Sequence, residues 1–369
     1  MKIAFLAGYN VIHTVRWVNS LCERGHDVHL LSLHRKGDRL DPRVKKVHFP
    51  FPPPAGYYLN APFVRSYLRK IKPDLVNAHY ASGYGTLGRL SGFHPYILSV
   101  WGSDVYDFPN YSARNRKLVI KNLAAANMVC STSHAMARVT EELCPDLAAI
   151  HITPFGVDTK KFIPDLSCEK IDTITIGTVK RIENKYGIDI LVRSFADIYD
   201  TLQTKNPKLA DKLRLLIVGD GTERERLIKL AVELGVGELT QFTGKVAYAD
   251  VPVFLSKMDI YAAFSRLDSE SFGVAILEAS GCGLPVVVSD VDGPAEVVEN
   301  GKTGLIVPRE DVTAGSAALG KLVSDDSLRS RLGAAGREHV VAHYDWEKSV
   351  DIMEGFYRKV VHLRKGEKL

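Results

Sequence analysis

Two glutamates, Glu270 and Glu278, stand either side of Ser271-Phe272-Gly273-Val274, with an apolar run from Leu284 to Ser289 behind them. A helix starting near Phe272 would aim the backbone N–H groups of Ser271, Phe272, Gly273 and Val274 at an anion, because a helix's first turn carries unpaired donors and a positive dipole. Glu278 would then lie roughly 6 to 9 Å along the axis, while Glu270 stays in the loop ahead. With a diphosphate at the helix tip, one carboxylate can accept from hexose hydroxyls and the other from ribose hydroxyls. The plainer alternative is a solvated loop acid near a helix N-terminus, which favours acids anyway, followed by a surface helix acid.

More charge and more glycine surround this pair. Lys180, Arg181 and Lys185 follow an apolar strand in Gly177-Thr178-Val179-Lys180-Arg181-Ile182-Glu183-Asn184-Lys185-Tyr186-Gly187. Two cations there would neutralise charge growing on a departing diphosphate without moving a proton. Gly219 and Gly221 also stand directly after a strand, where a backbone can approach a ligand closely or simply make a tight turn. In the first half, His79 and Asp104 end apolar runs and Gly8 follows the first of them, again on the side where open α/β sheets bind ligands. His79 reads equally as a cleft residue or a strand-end histidine; Asp104 reads as an acid orienting hydroxyls or as a cap.

With Ala279-Ser280-Gly281-Cys282-Gly283-Leu284-Pro285-Val286-Val287 following, the glutamate pair resembles the E-x7-E signature of retaining family 4 glycosyltransferases, of the "glycosyl transferases group 1" type. The resemblance covers nearly the whole chain and is strongest from Gly177 to Val307. It implies an α/β GT-B fold, with two Rossmann-like domains facing a central cleft and a last helix crossing back to the N-terminal domain. The implied boundaries are 1–157 for the acceptor domain, 158–343 for the nucleotide-sugar domain and 344–369 for the returning helix.

By the same resemblance Lys180 and Lys185 clamp the diphosphate, Lys180 being preferred to Arg181 by its spacing to Lys185, although Tyr186 is extra between the second lysine and Gly187. Gly8, Gly219 and Gly221 become donor-loop residues, Val246 meets the nucleobase edge, and Glu270, with His79 and Asp104, serves the reacting sugar. Trp101 stands where the family usually has His, and an indole cannot accept a proton. Asp290-Val291-Asp292 spells D-x-D but falls in an ordinary strand-to-loop turn, so neither a metal nor any other cofactor is expected.

Alternating short apolar runs and amphipathic stretches predict α/β units. The runs are Lys2 to Ala7, Asp27 to Ser32, Leu75 to Ala78, Tyr96 to Val100, Met128 to Ser131 and His151 to Thr153. A second set follows at Thr173 to Thr178, Leu213 to Val218, Thr240 to Thr243, Ile260 to Ala263, Pro285 to Ser289 and Gly304 to Val307. No apolar run is long enough to span a bilayer, and the first eight residues read as a buried strand rather than a signal peptide. The cysteines, at 22, 130, 144, 168 and 282, are odd in number and show no ligand spacing, which points to a reducing, cytoplasmic setting.

Charge is uneven. Residues 1–160 hold 20 Lys and Arg against 11 Asp and Glu, whereas the rest carries a net of −4. Such a bias suits an anionic acceptor or the inner face of a membrane, while nucleic acid is disfavoured for want of any binding motif. Phe49-Pro50-Phe51-Pro52-Pro53-Pro54-Ala55-Gly56-Tyr57-Tyr58 reads as a rigid connection, or, with its basic neighbours, as a receiver for a lipid-linked acceptor.

The expected activity is therefore transfer of a sugar from a UDP-sugar, or failing that a GDP-sugar, to a hydroxyl of a saccharide, glycolipid or lipid-linked acceptor in microbial surface-glycan assembly. The competing readings are a GT-B sugar phosphorylase, a nucleotide-sugar epimerase, and a catalytically silent sugar-nucleotide-binding subunit.

Overall fold

A computed structural model describes residues 1–34, 37, 39–147, 149–165 and 172–365. Cys168, Arg35 and Lys36 lie outside the described residues. The chain divides into two units, Met1–Phe155 with Glu347–Leu369, and Gly156–Trp346.

The first unit is built on strands β1 (Lys2–Leu6), β2 (Asp27–Ser32), β3 (Lys45–His48), β4 (Leu75–His79), β5 (Tyr96–Val100), β6 (Met128–Ser131) and β7 (His151–Ile152). They form one sheet in the order β3-β2-β1-β4-β5-β6-β7, parallel throughout, with Ile3 in register with both Val28 and Leu75. β4 and β5 are buried along their whole length, as expected of strands covered on both faces. The sequence pattern misses only β3, whose residues Lys45, Lys46 and His48 are exposed at the sheet edge. Edge strands are commonly charged, because charge discourages pairing with another chain.

The last helix, Trp346–Lys365, packs into this unit from Glu347 onward. Arg24 meets Glu347 at 2.6 Å, Asp351 at 2.5 Å and Glu354 at 3.3 Å. The buried Tyr357 hydroxyl donates to Asn77 Oδ1 at 2.9 Å, satisfying the one polar atom of a ring otherwise held in the core.

The second unit carries β8 (Ile174–Val179), β9 (Leu213–Val218), β10 (Thr240–Phe242), β11 (Ile260–Ala263), β12 (Val286–Ser289) and β13 (Gly304–Val307) in the order β10-β9-β8-β11-β12-β13, again parallel. All six strands coincide with the expected apolar runs. Its core joins the inner faces of β8, β9 and β11 to the helix Ile188–Lys205, centred on the fully buried Phe195. Chain order reverses between β8 and β11, and parallel sheets bind ligands outside the C-terminal ends of strands at such a switch point. The loops after these two strands carry Lys180 and Glu270.

Among the described residues no helix is long and apolar enough to cross a membrane.

Candidate active site

Lys180 leaves the end of β8 and turns inward. Its ammonium lies 2.6 Å from Glu270 Oε1, both side chains being about one-sixth exposed or less. Arg181 points the other way; its side chain is 78% exposed and pairs with Glu183 at 3.1 Å. Tyr186, the residue extra to the family pattern, stands between the two lysines, with Lys180 Nζ 4.6 Å and Lys185 Nζ 4.9 Å from its ring centre. An aromatic face attracts ammonium groups electrostatically, so Tyr186 gathers two cations that would otherwise repel. Burial pushes the Tyr186 phenol well above its ordinary range, and the Glu270 charge adds to that, so the ring stays neutral. The Lys185 ammonium makes no hydrogen bond or ion pair among the described residues.

Sequence reasoning did not find what holds these loops together. Arg266, in the loop after β11, makes a bidentate pair with Asp189 at 2.8 and 2.7 Å and donates to the Asn184 carbonyl at 2.8 Å. Its backbone N–H donates to the Lys185 carbonyl at 2.8 Å. The turn bearing Lys185 is thereby clamped to the loop that leads to Glu270. Gly187 closes this turn with φ 58°, and a Cβ there would sit 1.8 Å from the Phe264 carbonyl oxygen. Gly187→Ala is expected to cost about 3 kcal/mol or more, since backbone must move as well as adopt a left-handed conformation; thermal unfolding of the second unit measures it.

The two donor-loop glycines serve the protein backbone first. A Cβ on Gly219 would lie 1.8 Å from the Lys180 carbonyl oxygen, and one on Gly221 would lie 2.2 Å from that of Ile182. Their small size lets the loop after β9 pack against the Lys180 loop. Between them opens a cavity of about 830 Å³ lined by Lys180, Gly219, Gly221, Lys245, Val246 and Tyr248, among others. A cavity of about 550 Å³ at the opposite end of the strands, by Thr175, Leu215 and Asp259, contains none of the candidate residues.

The helix after Glu270 spans Val274–Gly281, not Phe272 onward, because Gly273 takes φ 91° as its cap. Ser271 and Phe272 thus precede the helix, and Phe272 is a core residue, edge-on to Tyr344 with 5.8 Å between ring centres. Val274 begins the first turn. Glu278 is 5% exposed and accepts from the Tyr248 hydroxyl at 2.6 Å. Tyr248, absent from the sequence reading, also lies under Lys161 Nζ at 4.7 Å. Its position two residues beyond Val246, in a segment already singled out, was the available signal.

In the first unit the two polar residues expected to serve the reacting sugar, His79 and Asp104, are buried. His79 is 1% exposed; Thr14 Oγ1 lies 3.3 Å from its Nδ1 and Asn77 Oδ1 lies 3.2 Å from its Nε2. Burial, with the neighbouring His13, pushes its pKa down to about 3, so it is a neutral core imidazole, tilted against Trp101 at 4.1 Å. Asp104 is equally buried, and its carboxylate accepts from the backbone N–H groups of Ala81 at 2.6 Å, Trp101 at 3.1 Å and Gly102 at 2.8 Å. These bonds tie together the turns after β4 and β5. Burial raises its pKa despite those bonds. Gly8 follows β1 and lines a small cavity of about 250 Å³ with Asn10, His34 and Tyr80. Asp290 of the D-x-D string is engaged by Arg309 at 3.2 Å, and among the described residues no cluster of three His, Cys, Asp or Glu is arranged to hold a metal.

Two parallel-sheet units, the second with cations and carboxylates at its switch point, define the GT-B class of α/β architecture. Residues 167–339 match the model of "Glycosyl transferases group 1", and residues 2–133 that of "Glycosyl transferase 4-like". The chain belongs to the glycosyl transferases group 1 family.

It is 31% identical over 276 residues to a GDP-mannose-dependent alpha-(1-6)-phosphatidylinositol monomannoside mannosyltransferase of Mycolicibacterium smegmatis, covering 71% of this chain and 69% of that protein. It is 32% identical over 249 residues to a D-inositol 3-phosphate glycosyltransferase of Stackebrandtia nassauensis, covering 64% of this chain and 55% of that one. In fold it resembles a sucrose-phosphate synthase from Thermosynechococcus elongatus, with a TM-score of 0.79, 22% identity and coverage of 97% and 98%. Anabaena HepE in complex with UDP and glucose is similar at a TM-score of 0.78, 18% identity and coverage of 97% and 100%.

Proposed function

We propose that this glycosyltransferase moves a hexose from a nucleoside diphosphate to an acceptor hydroxyl with retention of anomeric configuration. The observation that carries the reading is the trio of Lys180, Lys185 and Glu270 gathered around Tyr186. An ammonium has three N–H donors, so Lys180 can hold Glu270 and a phosphate oxygen together. Lys185 and the first turn at Val274 supply further positive potential to the diphosphate.

Glu270 accepts from the sugar hydroxyls, and Glu278, already oriented by Tyr248, accepts from the ribose. The bond from the anomeric carbon to the phosphate oxygen breaks, the acceptor oxygen bonds that carbon on the same face, and the acceptor's proton passes to a diphosphate oxygen. The lysines perform the neutralisation a metal would otherwise supply.

UDP-sugar stands first on the sequence reading, and the GDP-mannose dependence of the mycobacterial-type relative supports GDP-mannose as an equal candidate. Lipid-linked or saccharide acceptors, attachment at the inner membrane face and a role in surface-glycan assembly belong to the same proposal. They are supported by the basic first half and by the lipid acceptor in that relative's name.

Release of GDP or UDP from GDP-mannose and UDP-glucose tests the reading. Slow release by the intact chain, abolished in Glu270→Ala and in Lys185→Ala, is the expected result. Donor binding with no release across both donors and a panel of acceptors would replace it with the silent-binder reading.

A further inference from the structure

The first unit contains a groove that the donor chemistry leaves unused. It holds about 780 Å³ and is lined by Arg89, Arg114, Lys117 and Lys121, with Tyr57 and Tyr58 on its other wall. Among the described residues no aspartate or glutamate lines it. Arg114, Lys117 and Lys121 recur at three- and four-residue spacing on the helix Ala113–Ala124, which puts them on one face. Among the described residues the side chains of these three make no hydrogen bond or ion pair, whereas the Arg89 side chain is fixed by Asn122 Oδ1 at 2.8 Å. Unpaired like charges facing one cavity repel one another, and an anion bound there relieves that repulsion.

The groove also has an inner door. The hydroxyl end of the Tyr57 ring packs against Gly83, where a Cβ would fall 2.3 Å from it. Tyr57, Ser82 and Gly83 line both this groove and the smaller cavity by Gly8 and Tyr80 at the strand ends. A ligand long enough to pass Tyr57 can therefore have an anionic group among the cations and a hydroxyl-bearing ring at the ends of β1 and β4.

We infer that this groove is the acceptor's phosphate subsite: Arg114, Lys117 and Lys121 hold a phosphomonoester or phosphodiester, and Tyr57 and Tyr58 flank the ring attached to it. The inference rests on the transferase reading for the word acceptor, and on the groove alone for the phosphate.

The test is equilibrium binding to the full chain, with inositol 3-phosphate against myo-inositol as soluble probes. Phosphatidylcholine vesicles with and without phosphatidylinositol are the lipid probes. Inositol 3-phosphate over myo-inositol, or vesicles carrying the anionic phosphatidylinositol over zwitterionic phosphatidylcholine alone, should bind preferentially, and Lys117→Gln/Lys121→Gln should weaken that binding about tenfold or more. Arg116→Gln, an exposed change on the same helix outside the groove, should leave it unaltered. Preference in the soluble pair identifies a free sugar phosphate as the source, and preference confined to vesicles identifies a lipid headgroup.

Equal binding of both members in both pairs, or equal effects of the groove and Arg116 variants, overturns the inference. Release of GDP or UDP from GDP-mannose and UDP-glucose by the unaltered chain is measured alongside. Should the unaltered chain release neither while still preferring phosphorylated probes, the transferase reading falls and the phosphate groove stands.

Discussion

Lys180→Met is expected to lower kcat about a thousandfold with either donor while leaving the chain folded, and Arg181→Ala to change it less than about twofold. The contrast follows from where each neighbour points. Lys180 is largely buried and 2.6 Å from Glu270; Arg181 is in solvent and paired with Glu183. Methionine fills much of the lysine's volume but offers no charge, so two things are lost together. The diphosphate loses a fixed cation in a partly water-excluded site, where removal of one preorganised group costs about 2.7 to 4 kcal/mol of transition-state stabilisation. Glu270 loses its partner, and a largely buried carboxylate left unpaired carries its desolvation cost uncompensated.

Lys180→Arg should recover little, because a planar guanidinium fits neither the Tyr186 face nor the Glu270 oxygen in the same geometry. Michaelis profiles for the three variants measure the effect. Equal losses in Lys180→Met and Arg181→Ala would mean that the inward pair plays no part in the reaction.

What the sequence disclosed depended on whether the signal was local. Short buried runs such as Ile260–Ala263 announce themselves, since a strand covered on both faces has little room for charged residues. Lys45–His48 did not, because a charged edge strand looks like a loop. The helix after Glu270 starts two residues later than expected for a backbone reason, the left-handed cap at Gly273, which a string of letters does not display.

Side-chain direction was legible only in part. The spacing of Lys180 to Lys185 pointed to the inward lysine, yet the partner that gathers both is Tyr186, which by family pattern is merely an insertion. Arg266 has no such local signal, and Tyr248 has only its place beside Val246: each acts on a residue 30 or more positions away, Asp189 and Glu278, and no local motif encodes such a meeting. His79 and Asp104 show what an address alone leaves open. A polar residue at a strand end has the address of a site residue, but its hydrogen bonds decide whether it faces a ligand or the backbone.

His79 makes the stability of the first unit depend on pH. Its pKa in the folded unit is lowered to about 3 by burial and by neighbouring His13, from an ordinary value of 6.5. Above pH 6.5 the imidazole is neutral whether the chain is folded or not, so it imposes no penalty. Below that value the unfolded chain takes up a proton that the folded chain refuses, and stability falls by about 1.4 kcal/mol per pH unit until the folded group also protonates near 3.

Between pH 6.5 and 4.5 the loss from this one group is therefore about 2.7 kcal/mol, a large share of a typical domain's stability. Urea unfolding read by tryptophan fluorescence measures it for the first unit alone, because Trp17 and Trp101 lie there and Trp346→Phe removes the reporter from the second. His79→Gln keeps polar atoms near Thr14 and Asn77 but cannot titrate. It should begin less stable at pH 7 and flatten the acid slope by close to one proton. A slope identical to that of the unsubstituted chain would show that His79 is not the group that sets it.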